Sequence, residues 1–187
     1  FWLLALFMVL TMSVTSALPA HMIALLQEAG LPPAWVLGIP AAIGVIQVLE
    51  ENGIKPDLVV GTSAGSVVAA FYASGKSGAQ LQWLADSMDE SQLTDWTVPF
   101  MSRGMLRGEA LGRYINTQLN GAKIEDLKIP LGIVATDLQT GDGILFRRGD
   151  IATAVRASSA VPSVFEPVRI GNKDYVDGGL VSPVPVL

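Results

Sequence analysis

The chain has 187 residues, 50% apolar and 16% charged, with 12 Lys and Arg against 17 Asp and Glu, a single His and no Cys. That length supports one α/β domain with a core of its own and leaves little room for two. A net charge of −5 without a basic cluster excludes a nucleic-acid binder, and the lack of cysteine excludes a disulfide framework, a thiolate zinc site and a cysteine nucleophile.

Phe1–Leu18 is an uncharged apolar run followed by Pro19, and Thr15-Ser16-Ala17 supplies the small residues that signal cleavage needs. Residues 1–20 are expected to be a signal peptide or membrane anchor, with a buried helix as the alternative. No positively charged segment precedes the run, the chain opens on Phe1, and Val181–Leu187 stops in an apolar stretch. The domain, residues 21–187, is therefore expected to be incomplete at both ends.

Ala34–Leu37 reads as a short strand. Ile43–Glu51 has helical spacing, with Ile43, Ile46 and Leu49 on one side, and Asn52-Gly53 ends it. Leu58–Val60 is a β-branched run, Gly65–Tyr72 a helix of small residues, and Ala79–Met88 an amphipathic helix. Arg103-Gly104 and Arg107-Gly108 bracket a turn before a helix over Glu109–Leu119. Ile129–Ala135 reads as a core strand, Thr140–Gly143 as a turn, Ile144–Arg147 as a third strand and Ile151–Ser158 as a helix. Val168–Ile170 and Lys173–Val176 flank Gly171-Asn172, a hairpin signal. Such alternation predicts an α/β fold with a mostly parallel sheet covered on both faces.

The sharpest chemical signal is Gly61-Thr62-Ser63-Ala64-Gly65, between an apolar strand and a helix. A serine presented at a strand-to-helix turn sits in strained backbone, so its neighbours two positions away must be small. The helix after it also aims its N-terminal amides and positive dipole end at Ser63, where an oxyanion would develop. The plain alternative is a tight βα turn in which Ser63 caps a helix. A phosphate-cradling loop is disfavoured because no Gly-Lys-Ser/Thr comes next.

A nucleophilic serine needs a base. His21, the lone histidine, lies beside the apolar leader and before any strand that belongs to the sheet, so an oxygen base is expected. Asp57, Asp137, Asp142, Asp174 and Asp177 are the candidates. Asp57 reads as a polar residue at the start of a strand and Asp142 as part of a glycine-rich turn. Asp177 stands apart because it precedes Gly178-Gly179, allowing close backbone approach beside a carboxylate; an ordinary Asp-Gly turn is the alternative.

Four segments carry a family resemblance: Gly61-Thr62-Ser63-Ala64-Gly65-Ser66, then Ile133–Gly141, then Ala154-Val155-Arg156-Ala157-Ser158 with Pro162 and Phe165, then Tyr175-Val176-Asp177-Gly178-Gly179. In this order they resemble the bacterial patatin-like phospholipases, from about Ile43 to the C-terminus. The resemblance implies a three-layer α/β/α fold and a Ser-Asp dyad, with Ser63 as nucleophile and Asp177 as proton acceptor. It also implies hydrolysis of acyl esters in phospholipids or lysophospholipids at a membrane surface, without metal or cofactor. A genuine leader would make the protein exported or membrane-associated in a bacterium; otherwise it is expected in the cytoplasm.

The chain departs from the family at one place. Where the family carries Gly-Gly-Gly-x-Arg/Lys-Gly to hold the oxyanion, this sequence has Leu37-Gly38-Ile39-Pro40-Ala41-Ala42-Ile43-Gly44. Gly38 reads as a remnant of that run and Gly44 as the family's later glycine, and Gly38 and Ala64 are the oxyanion candidates. A catalytically impaired scaffold that binds lipid or a partner is thus the second reading, and a membrane-anchored interaction domain with a structural Ser63 the third. Arg103, Arg107 and Arg113, at roughly helical spacing, suit either anionic headgroups or a solvated face. Trp83, Trp96, Phe100, Met101 and Met105 suit either core packing or an apolar lid.

Overall fold

The computed structural model describes residues 34–87, 107–162 and 164–185. By backbone contact the chain divides into two compact units, Phe1–Gly38 and Ile39–Leu187, and the second holds the sheet. Helix α1 (Ala34–Glu51) opens the described region. Ala34–Leu37, expected as a strand, forms its start, because four apolar residues carry no period that separates strand from helix. Gly53 ends α1 as expected: at a φ of 67° it lets Ile54 N donate to the Leu49 carbonyl at 2.9 Å, a closure that favours glycine.

Strand β1 (Val59–Thr62) leads through Ser63 into helix α2 (Ala64–Ala73). Every residue of α2 from Ser66 to Ala73 is buried, and its alanines let the helix lie close on the sheet. Helix α3 (Gly78–Ser87) begins with a reciprocal cap, in which Ser77 N donates to Gln80 Oε1 at 2.9 Å and Gln80 N to Ser77 Oγ at 3.3 Å. Helix α4 (Glu109–Leu119) matches its expected bounds. Strands β2 (Leu131–Asp137) and β3 (Gly143–Phe146) form a hairpin, helix α5 (Ile151–Ser158) comes next, and β4 (Val168–Ile170) and β5 (Lys173–Asp177) form a second hairpin. Ile43, Val67, Phe71, Leu81, Ile115, Ile133 and Val155 belong to the main apolar core. Among the described residues no helix is long and apolar enough to cross a membrane.

The α/β class is as expected, but the sheet is mixed. Among the described residues only β1 and β2 run parallel, while β2–β3, β2–β5 and β4–β5 are antiparallel. The expected parallel character is confined to the β1–α2–β2 part, because the later strands are joined by short turns that reverse direction. Helices α2 and α5 pack on β2 and on each other, forming a helical layer on one face.

The register of β2 decides where the chemistry sits. It pairs with β1 over residues 131–134, with β5 over 135–137 and with β3 over 133–136. A strand has two edges, and β3 overlaps both other partners, so β1 and β5 must share the opposite edge, end to end. Thr62, the last residue of β1, faces Val134, and Asp177, the last residue of β5, faces Ala135. The two strands run head-on along that edge, so the turn after β1 and the turn after β5 meet at the junction.

Candidate active site

Ser63 stands alone between β1 and α2 with φ 52° and ψ −129°. A non-glycine residue there stores strain of about 1–3 kcal/mol and persists only when its surroundings hold it. Both of its backbone polar groups are held. The Ser63 amide donates to Ser158 Oγ at 2.8 Å, and its carbonyl accepts from Ser66 N at 2.8 Å and from Ser66 Oγ at 2.6 Å. Ser66 and Ser158 are both wholly buried. Ser63 itself is half-buried, so its hydroxyl remains within reach.

The glycines of the motif have different roles. A Cβ on Gly61 would stand 2.5 Å from the Gly65 carbonyl oxygen and 2.6 Å from Ser66 Cα, so only glycine fits beneath the turn. A Cβ on Gly65 would meet nothing within 4 Å among the described residues. The expectation that both flanking positions must be small is thus corrected: the start of α2 crosses over Gly61 and leaves the space beside Gly65 open.

Asp177 closes the site from the β5 side. It is buried, its amide donates to the Ala160 carbonyl at 2.9 Å, and its own carbonyl accepts from Thr136 Oγ1 at 2.8 Å. Of its carboxylate oxygens, Oδ1 accepts from Gly179 N at 2.6 Å and Oδ2 accepts from Ser63 Oγ at 2.6 Å. The first contact orients the carboxylate and the second meets the geometry of a base beside a nucleophile. Gly178 is required here, since a Cβ on it would overlap the Val134 carbonyl and come within 3.0 Å of Thr62 Cγ2.

The remaining carboxylates are engaged elsewhere or exposed. Asp137 accepts from Lys173 Nζ at 2.6 Å and from the amides of Gln139 and Thr140. The Lys173 ammonium holds the Asp137 carboxyl below the usual range, and the carboxylate in turn raises Lys173. Asp174 pairs with Arg169 at 3.3 Å, and Asp57 and Asp142 are exposed. Ala64 and Gly65 open α2, where the helical ladder leaves the first amides without partners. Gly38 lies at the fifth position of α1, where the ladder takes its amide; it is not part of a glycine-rich loop.

Arg113 is exposed and pairs with Glu109 at 3.7 Å across one turn of α4. Trp83 is 67% exposed on α3, so core packing fails for it; helix periodicity alone did not separate the outer face of this short helix from the inner one. His21, Arg103, Trp96, Phe100, Met101 and Met105 lie outside the described residues. Ser158, Ser66 and Thr136 are site residues that sequence reasoning missed. All three lie inside segments that carry the family resemblance, Ser66 after Gly65, Thr136 before Asp137 and Ser158 at the end of Ala154–Ser158, but residue type and spacing gave none of them a contact.

A profile of the Patatin-like phospholipase family matches residues 37–187. An NTE family protein of Mycobacterium tuberculosis, Rv1063c, is 35% identical over 147 residues, covering 78% of this chain and 41% of the relative. YqhO of Bacillus subtilis is 33% identical over 182 residues, covering 81% of this chain and 62% of YqhO. This chain therefore spans less than two thirds of either relative. Among solved structures, VipD from Legionella pneumophila has the same fold at a TM-score of 0.64 and 17% identity, over 81% of this chain and 45% of VipD. With a family match across most of its length, this chain belongs to the patatin-like phospholipase family.

Proposed function

We propose that this chain is a serine acyl-ester hydrolase of phospholipids or lysophospholipids that works through a Ser63–Asp177 dyad at a membrane surface. The observation that carries the reading is the 2.6 Å hydrogen bond from Ser63 Oγ to Asp177 Oδ2 at the meeting point of β1 and β5. Ser63 Oγ attacks the ester carbonyl carbon as Asp177 takes its proton. The collapsing intermediate expels the alcohol, which leaves with that proton, and the acyl group remains on Ser63. Water then gives a proton to Asp177 and attacks the acyl carbonyl, and Asp177 returns that proton to Ser63 Oγ as it leaves, freeing the fatty acid. Leu180 and Val181, three and four residues beyond Asp177, are 60% and 40% exposed, which supports an apolar substrate. The family description supports the lipid class.

A fluorophosphonate probe tests the reading. Wild-type protein is expected to be labelled and Ser63→Ala to remain unlabelled with its melting temperature kept, and labelling of Ser63→Ala would overturn the nucleophile. Turnover of lysophospholipid micelles measured beside it assigns the substrate class. A lipid-binding scaffold without turnover is the second reading, favoured by the place of Gly38 inside α1; folded wild-type protein that resists the probe would establish it over the first.

A further inference from the structure

We propose that Ser158 is a positioning residue for Ser63, and that by taking the Ser63 amide it leaves the oxyanion to the amides of Ala64 and Gly65. This rests on the hydrolase reading above.

A hydroxyl has one proton to give and lone pairs to receive. Both of the Ser158 contacts have a fixed sense, because a backbone amide can only donate and a carbonyl can only accept. Ser158 Oγ accepts from the Ser63 amide at 2.8 Å and donates to the Val134 carbonyl at 2.6 Å. A side chain that bridges an amide to a carbonyl must do both, so alanine, valine or a carboxylate cannot replace it. The bridge is wholly buried and sits on the last residue of α5. That helix is fixed at its other end by Asp150, whose Oδ2 accepts from the Thr153 amide at 2.7 Å, and it packs on β2 and β5.

The place of the bridge gives it leverage. Val134 pairs with Thr62 at the end of β1, and its carbonyl is the atom that Gly178 approaches at the end of β5. Ser158 thus ties the strained Ser63 backbone to the point on β2 where the two halves of the site meet. With the Ser63 amide facing this buried hydroxyl, and the Ser66 amide bonded to the Ser63 carbonyl at 2.8 Å, the amides left to donate at the turn are those of Ala64 and Gly65. Gly65 carries no side chain to cover them, and among the described residues nothing stands within 4 Å of where its Cβ would be.

The test uses the whole chain, a soluble p-nitrophenyl ester and a fluorophosphonate probe. Ser158→Ala is expected to lower kcat by about 10-fold to 100-fold while KM stays within about threefold, since the loss is in alignment rather than substrate binding. Ser158→Thr, which keeps the hydroxyl, is expected to recover most of the rate. A folded Ser158→Ala protein with kcat within about threefold of wild type, or a threonine variant no faster than the alanine one, overturns the role. Amide NMR of the wild-type adduct decides independently of any variant's folding. Ala64 and Gly65 amide protons are expected to move downfield on phosphonylation, and both of them staying in place overturns the assignment. Folded wild-type protein that takes no probe defeats the hydrolase reading and this inference with it; labelled wild type with an unaffected Ser158→Ala defeats this inference alone.

Discussion

Gly61→Ala and Gly65→Ala are the same chemical change at the two ends of one motif, and the structure separates them. At Gly61 the new methyl would lie 2.5 Å from the Gly65 oxygen, 2.8 Å from the Gly65 carbonyl carbon and 2.6 Å from Ser66 Cα, all backbone atoms. Ordinary contact between such atoms is about 3.5 Å, so the turn must open by roughly 1 Å. Overpacking of this kind costs about 1–3 kcal/mol, and it falls under Ser63, where a displacement of about 1 Å is worth about 100-fold in rate. At Gly65 the methyl meets nothing within 4 Å among the described residues, and alanine in place of glycine stabilises a helix by up to about 1 kcal/mol. Urea denaturation and the rate of fluorophosphonate labelling measure both effects. Gly61→Ala is expected to lose stability and about 100-fold in labelling rate, with Gly65→Ala as stable as wild type or more so. A Gly61→Ala protein matching wild type in both, or a Gly65→Ala protein that is the less stable of the two, would contradict this account of the turn.

The same geometry sets three further outcomes. Asp177→Asn is expected to remove nearly all esterase activity at every pH, because an amide in that place cannot take the Ser63 proton; a pH–rate profile that retains a wild-type plateau would contradict it. Lys173→Met is expected to move the acid-unfolding midpoint, monitored by circular dichroism, to higher pH. Asp137 is lowered by Lys173, so its contribution is full above the unfolded carboxylate pKa of about 3.9 and is lost as pH falls through the lower folded value. Lys173 is raised by Asp137, so its contribution is full below about pH 10.4 and is lost as pH rises through the higher folded value. The variant removes both ends of that window, and an unchanged acid midpoint would count against the ion pair. Ile115→Ala, at a wholly buried position of α4, is expected to cost about 2–5 kcal/mol of stability in urea denaturation while folded protein keeps its labelling rate.

What could be read from the sequence was local. Helices over Glu109–Leu119 and Ile151–Ser158 appear with their expected bounds because a period of apolar residues and a capping residue fix a helix within its own segment. The strand, turn and helix around Ser63 were legible for the same reason, and so was the turn after Asp177, since glycine pairs record backbone demands. Ala34–Leu37 was not, because its four residues carry no period of their own.

Sequence alone determined that a serine would stand at a strained strand-to-helix turn and that a carboxylate beside two glycines was the leading partner. Only the family resemblance joined them as a dyad, because residue pattern gives no contact between groups 114 residues apart. That contact depends on β1 and β5 sharing one edge of β2 with their ends facing, a matter of strand register that local pattern does not encode. The same long-range pairing turned Asp137 toward Lys173, set Ser158 under the Ser63 amide and made glycine necessary at Gly61 but not at Gly65. Residue type and spacing specify which groups are available, and only packing decides which of them share a hydrogen bond.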